Sequence, residues 1–500
     1  MPAPAAVVTN LVSPMLSAQP STIDIPRRRG LFWPGLAAVL LGLAVVSHWP
    51  VRNGYFQIDD FLWVHLGNWR SVAGSFVGSV GAHDLYRPIS RVSTYLDGLI
   101  FGLHAGGWHL DNVAIHAANA FLLAVLMRSY RLPRSLCAAS AILFLFAPLS
   151  TECVDWISGR TASLCFLFML LATWRWTLAL AADRAPWAAA GWMVLGAMTY
   201  EAGVVLPLTL LCLIPIARKE FGIGYAEAFR RTLPLFAVIA AFFVMRAIFL
   251  GTILGYTDVA SHDRLGSLLL QVGTLKDIYP VFGGEISVWI IAASLLFATL
   301  APALFPVGPC LLLAAATLLL PFANAPGAGG RFYYMLQAPF CVLAVLPALI
   351  VRGPPRLAVL AALLALLLPS FVMTTWKGAV LYTRAGLETK AMVEAVHAAI
   401  PANDGWANVI DDVPTWYEAH PMMGGYFETG ISDSYGNQLP PIIARSEAVL
   451  ASPQYLSDVL RVSTRYWRYD IAAHRLVPIE RDAWLKEHPQ AQASLPQGKP

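Results

Sequence analysis

Asp59 and Asp60 stand side by side in Gly54-Tyr55-Phe56-Gln57-Ile58-Asp59-Asp60, directly after the first long apolar run of a 500-residue chain. Two adjacent carboxylates repel when both are ionised, which raises the pKa of one of them. A carboxylate so placed can take a proton from an acceptor hydroxyl as a general base. The competing reading is structural, because Asp is a strong cap for a helix beginning near Phe61. Tyr86-Arg87-Pro88 and Arg91 come next. An arginine fork holds phosphate oxygens in bidentate fashion, or else it lies at the interface and reaches to lipid headgroups. His109, Asn112 and His116 recur at three and four residues and share one helix face, with Asp111 pointing elsewhere. A polar stripe entering an apolar span faces the protein interior, either to hydrogen-bond between helices or to touch substrate.

Three further groups lie deeper in the chain. Glu152, Asp155 and Arg160 bracket Trp156-Ile157-Ser158-Gly159, and their simplest reading is a local ion-pair cluster. Glu201 interrupts the apolar stretch from Trp187 to Ile216, where an ionisable residue is a functional candidate unless it only marks an outer turn. Arg331 follows Ala328-Gly329-Gly330 and precedes Phe332-Tyr333-Tyr334, a flexible run beside a cation and aromatics that suits closure over a phosphate and a sugar. Two histidines seven residues apart with Asn between them form no recognised metal-ligand pattern. The expectation is therefore metal independence and no cofactor.

These residues must be positioned by a membrane protein. Hydrophobic residues make up 57% of the chain and charged residues 13%, against roughly 25% charged in an ordinary soluble protein. The net charge of +4 and the absence of a basic block point away from nucleic acid. All six cysteines lie in or beside apolar runs without metal-ligand spacing, so buried thiols are expected and disulfides are not. Residues 1–30 read as a disordered cytosolic tail ending in Arg27-Arg28-Arg29, and the run from Leu31 to His48 reads as an uncleaved signal anchor.

Apolar stretches long enough to approach the roughly 20 residues of a span fall near 31–48, 112–130, 135–150, 161–181, 187–201, 203–217, 232–250, 285–302, 307–322, 332–350 and 356–375. The basic residues Arg128, Arg131, Arg134, Arg184, Arg218, Lys219, Arg230, Arg231, Arg352 and Arg356 then share one side with the N-terminal tail, which the positive-inside rule makes the cytosol. Every candidate site residue falls on the other side. The expected fold is an all-α polytopic membrane protein of about eleven transmembrane helices with a small α/β C-terminal domain. Its parts are a transmembrane unit over 31–375, whose large first external loop is 49–111, and an extracytoplasmic domain over 376–500. Phe61–Val64, Tyr95–Leu103 and Ser267–Val272 read as short interfacial helices. In the C-terminal region, 384–399 reads as a soluble helix. Trp406–Ile410 and the pair Thr464–Tyr469 and Arg475–Ile479 read as strands.

The ordered motifs resemble the GT-C superfamily of polyprenyl-phosphate-dependent membrane glycosyltransferases. Ile58-Asp59-Asp60 is similar to the acidic pair in the first external loop of protein O-mannosyltransferases and their bacterial relatives. Tyr86-Arg87-Pro88, Gly107-x-His109-x-x-Asn112-x-x-x-His116 and Gly159-Arg160 resemble the TMTC-type O-mannosyltransferases. Tyr200-Glu201 is similar to their Lys-Glu without the lysine, and Arg331-Phe332-Tyr333-Tyr334 resembles a late Arg-Tyr motif. No tetratricopeptide repeats follow. The resemblance implies that an acceptor hydroxyl attacks a sugar carried on a lipid phosphate, in one inverting displacement at the outer face of the bilayer. Asp59 would be the base, with Asp60 tuning it or meeting the acceptor. Arg331, then Arg87 and Arg160, would bind the donor phosphate. His109, Asn112, His116, Glu152, Glu201 and Tyr333 would contact substrate. The implied partners are a polyprenyl-phosphate-linked sugar, membrane lipids and a glycan, lipid or protein acceptor, in what reads as a bacterial inner membrane. A transporter or flippase for an anionic or lipid-linked substrate is the rival reading, but it calls for paired broken helices in corresponding halves, and no such symmetry is visible. An oligosaccharide polymerase or ligase would carry its main polar loop late in the chain, whereas here the long loop comes first.

Overall fold

The computed structural model describes residues 31–65, 68–79, 85–253, 266, 269, 292–297, 299–301, 304–324, 330–403, 405–417, 420–422, 427–435, 440–452 and 463–493. The tail 1–30, all of the Ser267–Val272 helix but Leu269, and half of the stretch 285–302 lie outside the described residues.

Helices dominate, and the apolar runs form them. Five are long and apolar enough to cross a bilayer: Ala105–Ser129, Ile157–Ala181, Glu201–Phe221, Tyr225–Leu250 and Pro355–Ala399. A sixth span arises if Arg134–Leu145 and Pro148–Asp155, bent by 54° at their break, count as one. Phe32–Ser47, Trp187–Ala197, Val307–Phe322 and Gln337–Leu349 are apolar but shorter. Ten of the eleven expected stretches thus coincide with apolar helices, whereas only five or six reach spanning length among the described residues. The shortening has local causes. Pro148 follows the turn after Leu145 and supplies no N–H to continue the helix, and the stretch 198–205 passes through a tighter turn beginning at Glu201.

The two ends of the bundle carry different polar groups. At one end Arg131 pairs with Glu220 at 3.0 Å and Lys219 donates to the Phe305 carbonyl at 2.8 Å. At the other end His48 meets Asp155, Arg87 meets Glu201 and Arg331 meets Glu152. Between them lies a continuous apolar core running from Leu36 to Ala379. Outside the spans, Pro88–Phe101 exposes Leu96, Leu99 and Ile100, the apolar face expected of a helix lying in the interface.

The last span is longer than the sequence suggests. Pro355–Ala399 is one helix of 45 residues, about 68 Å at 1.5 Å per residue, against a hydrocarbon core of about 30 Å. The membrane span 356–375 and the soluble helix 384–399 are therefore a single rod through Pro369. It carries the C-terminal region rigidly to the site end. There the sheet runs β4-β1-β5-β6, with β1 Ala407–Asp411 parallel to both β4 Ile442–Arg445 and β5 Thr464–Asp470. The β5 strand pairs antiparallel with β6 Arg475–Ile479, placing Tyr466 opposite Ile479. Strand β1 is buried on both faces. Val409 packs with Tyr466 and Trp484 on one side, while Ile410 joins Met392, Val396 and Phe427 on the other. That second cluster also contains Phe56, Phe61, Trp63 and Trp108. The C-terminal region and the long segment between the first two apolar helices therefore share one hydrophobic core.

Candidate active site

The turn Thr151–Arg160 holds the site together, and each of its polar residues reaches a different segment. Glu152 Oε1 accepts from Arg331 Nη1 at 2.9 Å, and Oε2 accepts from the Arg331 backbone N–H at 3.1 Å. Asp155 Oδ1 meets His48 Nδ1 at 2.5 Å, with both side chains wholly buried. The carbonyls of Trp156 and Ile157 accept from Asn112 Nδ2 at 3.0 and 3.3 Å. Ser158 donates to Asp60 Oδ1 through its N–H at 2.8 Å and its hydroxyl at 2.5 Å. The turn closes tightly because Gly159 has no side chain: a Cβ there would lie 2.1 Å from the Glu152 carbonyl oxygen.

The two neighbouring carboxylates separate into different environments. Asp60 begins the helix Asp60–His65 and is 1% exposed. Its second oxygen accepts from the Gln57 N–H at 2.9 Å. Burial pushes its carboxyl up to about 7 against the pull of the three donors, which favour the ionised form. Asp60 therefore ties the loop to Ser158 and presents no surface to an acceptor. Asp59, just before that helix, stays partly exposed, and its carbonyl accepts from the Trp63 N–H at 3.3 Å. Ile58 is held at φ 37°, a left-handed conformation costing a β-branched residue about 1–3 kcal/mol. A backbone bond from Ile58 N–H to the Met422 carbonyl at 2.6 Å fixes it there. The bend that presents Asp59 is thus held from above by the C-terminal region and from below by Ser158.

The long helix forms the adjoining wall. Gly378 packs on Thr151, and Gly386 sits where a Cβ would lie 2.7 Å from the Tyr55 backbone nitrogen. Gln57 Nε2 donates to the Tyr382 carbonyl at 2.7 Å. The Tyr382 phenol lies within electrostatic range of Glu152, Asp155 and Arg331. Above it the His420 ring stands edge-on at 4.6 Å, carried by the short hairpin of β2 Trp416–Tyr417 and β3 His420–Pro421.

The three arginines differ in availability. The Arg331 side chain is 31% exposed and lies over the rings of Trp156 and Phe332 at 5.3 and 5.1 Å. Arg87 is 10% exposed, forks onto Glu201 at 2.7 and 3.0 Å and stacks on Tyr200 at 4.7 Å. Arg160 is 1% exposed and contacts Asp97 at 2.5 Å, Asn112 at 2.6 Å, the Trp108 carbonyl at 2.9 Å, Ser93 at 3.2 Å and Asp111 at 3.3 Å. In this structure these acceptors enclose the Arg160 guanidinium and tie the helix Pro88–Phe101 to the helix Ala105–Ser129. Burial raises the Asp97 carboxyl to about 6 although Arg160 pulls it down. The Arg87–Glu201 pair joins the interfacial helix to the turn opening the span that ends at Phe221, so these two candidates occupy each other.

The polar stripe on Ala105–Ser129 is buried as its spacing requires. His116 accepts from the Tyr334 hydroxyl at 2.7 Å and donates through Nε2 to the Leu145 carbonyl at 2.9 Å. Asn119 donates to the same Tyr334 oxygen at 3.0 Å. This is the interhelical hydrogen bonding foreseen for the stripe. His109 is wholly buried and packs against Gly54, where a Cβ would lie 2.9 Å from its Nε2. Tyr333 is 0% exposed in a cluster with Leu149 and Leu336, so it has no face to offer a substrate. Sequence reasoning missed His48, Asp97, Gln57 and Ser158 as members of this constellation. A lone histidine at the outer end of the first apolar run and an aspartate within an interfacial helix were the available signals. Gln57 and Ser158 carried none. Among the described residues, no three His, Cys, Asp or Glu side chains gather as a metal site. All six cysteines are free thiols, buried except for the half-exposed Cys212.

No family model matches the chain. The chain is 34% identical to the human protein O-mannosyl-transferase TMTC4 over 176 residues, covering 28% of this chain and 22% of that protein. It is 30% identical to the mouse protein O-mannosyl-transferase TMTC1 over 165 residues, covering 29% of this chain and 17% of the relative. The chain thus spans about a fifth of the length of these curated relatives, and within that part it resembles the family its motifs pointed to. The crystal structure of ArnT from Cupriavidus metallidurans bound to undecaprenyl phosphate superposes with TM-score 0.48 at 13% identity, over 91% of this chain and 95% of that one.

Proposed function

We propose that this chain is an inverting membrane glycosyltransferase that moves a sugar from a polyprenyl-phosphate carrier to an acceptor hydroxyl. One observation carries the reading. A partly exposed carboxylate, Asp59, is presented on a strained bend, and the turn that anchors its neighbour Asp60 through Ser158 also holds Arg331 through Glu152, with the Arg331 side chain 31% exposed. In the proposed step the acceptor O–H gives its proton to Asp59 as its oxygen bonds to the anomeric carbon. The bond from that carbon to the phosphate oxygen breaks, and the lipid phosphate leaves with its charge. Arg331 meets that charge, exchanging its pairing with Glu152 for the phosphate oxygens, where a fixed cation stabilises developing charge most. Trp156 and Tyr382 would flank the sugar. The partial match to O-mannosyltransferases supports a sugar donor and a hydroxyl acceptor; the acceptor itself stays open among protein, glycan and lipid.

The arginine asymmetry supports a cytosolic N-terminus and an extracytoplasmic site end, in what we infer to be a bacterial inner membrane. The reading is tested with purified protein, a polyprenyl-phosphate-linked sugar and a panel of hydroxyl acceptors. Release of free polyprenyl phosphate coupled to one acceptor supports it. An Arg331→Lys protein keeps the charge but loses the planar fork, and its KM for the donor should rise more than its turnover falls. Unchanged donor KM would remove Arg331 from the phosphate site.

A further inference from the structure

A cavity of about 700 Å³ lies at the end of the bundle away from Asp59, lined by Arg218, Lys219, Gly222, Tyr225 and Phe305 among others. We propose that it binds a phosphate group, supplied by the headgroup of an anionic membrane lipid. Two adjacent cations line the cavity, and among the described residues no carboxylate does. Glu220, the nearest acid in sequence, pairs with Arg131 at 3.0 Å and is not part of the lining. Among the described residues Arg218 makes no ion pair; its guanidinium lies over the Tyr225 ring at 4.6 Å, with its hydrogen-bonding edge left for a ligand. Lys219 spends one of its three N–H bonds on the Phe305 carbonyl at 2.8 Å. Gly222, at φ 71° in the left-handed region that favours glycine, ends the helix Leu206–Phe221 beside these cations.

The rest of the lining decides between a lipid and a soluble phosphate. Phe305 and Tyr225 are 60% and 53% exposed, and Pro309 and Cys310 continue the apolar wall. A cavity lined by two cations and by exposed apolar residues, at an end of the helix bundle, matches a phosphodiester headgroup with its acyl chains along the helices. Basic pockets between helices on this kind of face bind anionic headgroups.

The test uses the full chain in detergent, with retained lipid measured by native mass spectrometry after exchange against phosphatidylglycerol or phosphatidylethanolamine. The wild type should retain phosphatidylglycerol and not phosphatidylethanolamine. Arg218→Gln/Lys219→Gln should weaken retention by roughly tenfold or more, the scale of removing two basic groups from an anionic surface. Arg352→Gln, also on the basic side of the expected topology, should not. Thermal unfolding in zwitterionic detergent should match between variants, which separates loss of the ligand from loss of the fold. Inorganic phosphate alone forms the second arm: if it raises the unfolding temperature through Arg218 and Lys219 while phosphatidylglycerol does not, the site serves a soluble phosphate. Equal retention of both lipids, equal loss in Arg352→Gln, or full retention by the double variant overturns the proposal.

Discussion

Replacing each carboxylate of the acidic pair by its amide should produce opposite phenotypes. Asp60 receives three hydrogen bonds inside the protein, two from Ser158 and one from Gln57. Asn at this position keeps one acceptor oxygen and turns the other into an NH2. If the oxygen faces Ser158, the NH2 faces the Gln57 N–H, donor against donor in a buried site. A buried donor left unpaired costs about 1–3 kcal/mol, and the loss of charge-assisted bonds adds to it. Asp60→Asn should therefore unfold at lower temperature in detergent and lose activity as the loop loosens. Asp59 is partly exposed and precedes the helix Asp60–His65, a position where Asn serves about as well as Asp. Asp59→Asn should keep the wild-type unfolding temperature while turnover falls about 10²–10⁴-fold, the usual contribution of a general base. The assay pairs thermal unfolding with transfer rates on the same preparations. A stable Asp59→Asn protein with near-normal turnover would refute the assignment, and a stable but inactive Asp60→Asn protein would move the base to Asp60.

Three other outcomes follow from the geometry. Because burial raises the folded Asp60 carboxyl to about 7 from an unfolded value near 3.8, its stabilising contribution is complete below about pH 4 and lost as pH rises through about 7; the Asp60→Asn protein should lose that part of the pH dependence in unfolding experiments. Arg160→Met leaves Asp97 buried without its cation, a change on the scale of 3–5 kcal/mol for a broken buried pair, so it should reduce folded yield and unfolding temperature; a stable variant with only a raised donor KM would restore Arg160 as a phosphate ligand. Gly386→Ala drives a Cβ into the Tyr55 backbone, at about 1–3 kcal/mol for overpacking, and should lower turnover by shifting the first external loop off the long helix; unchanged turnover and stability would mean that the contact yields freely.

Sequence alone was enough to find the apolar helices and several of the polar residues that gather at one end of the bundle. Those properties are local. A run of apolar residues must bury its backbone polar groups in a helix wherever the bilayer surrounds it, and the 3.6-residue period alone put His109, Asn112 and His116 on one buried face. The strands Ala407–Asp411, Thr464–Asp470 and Arg475–Ile479 were legible for the same reason, through alternation and turn residues. Partners were not legible, because they depend on segments far apart in the chain. Arg160 reads like Arg331 in sequence, yet five neighbouring acceptors enclose the first, while the second keeps an open face. Asp59 and Asp60 are chemically identical neighbours, and the arrival of Ser158 from 98 residues away distinguishes the buried Asp60 from the partly exposed Asp59. One continuous helix crosses the expected boundary near residue 376, and Phe56, Phe61 and Trp63 share a core with Ile410. A hydrophobic surface is satisfied by whatever apolar surface the tertiary fold brings to it, and sequence order does not specify which segment that will be.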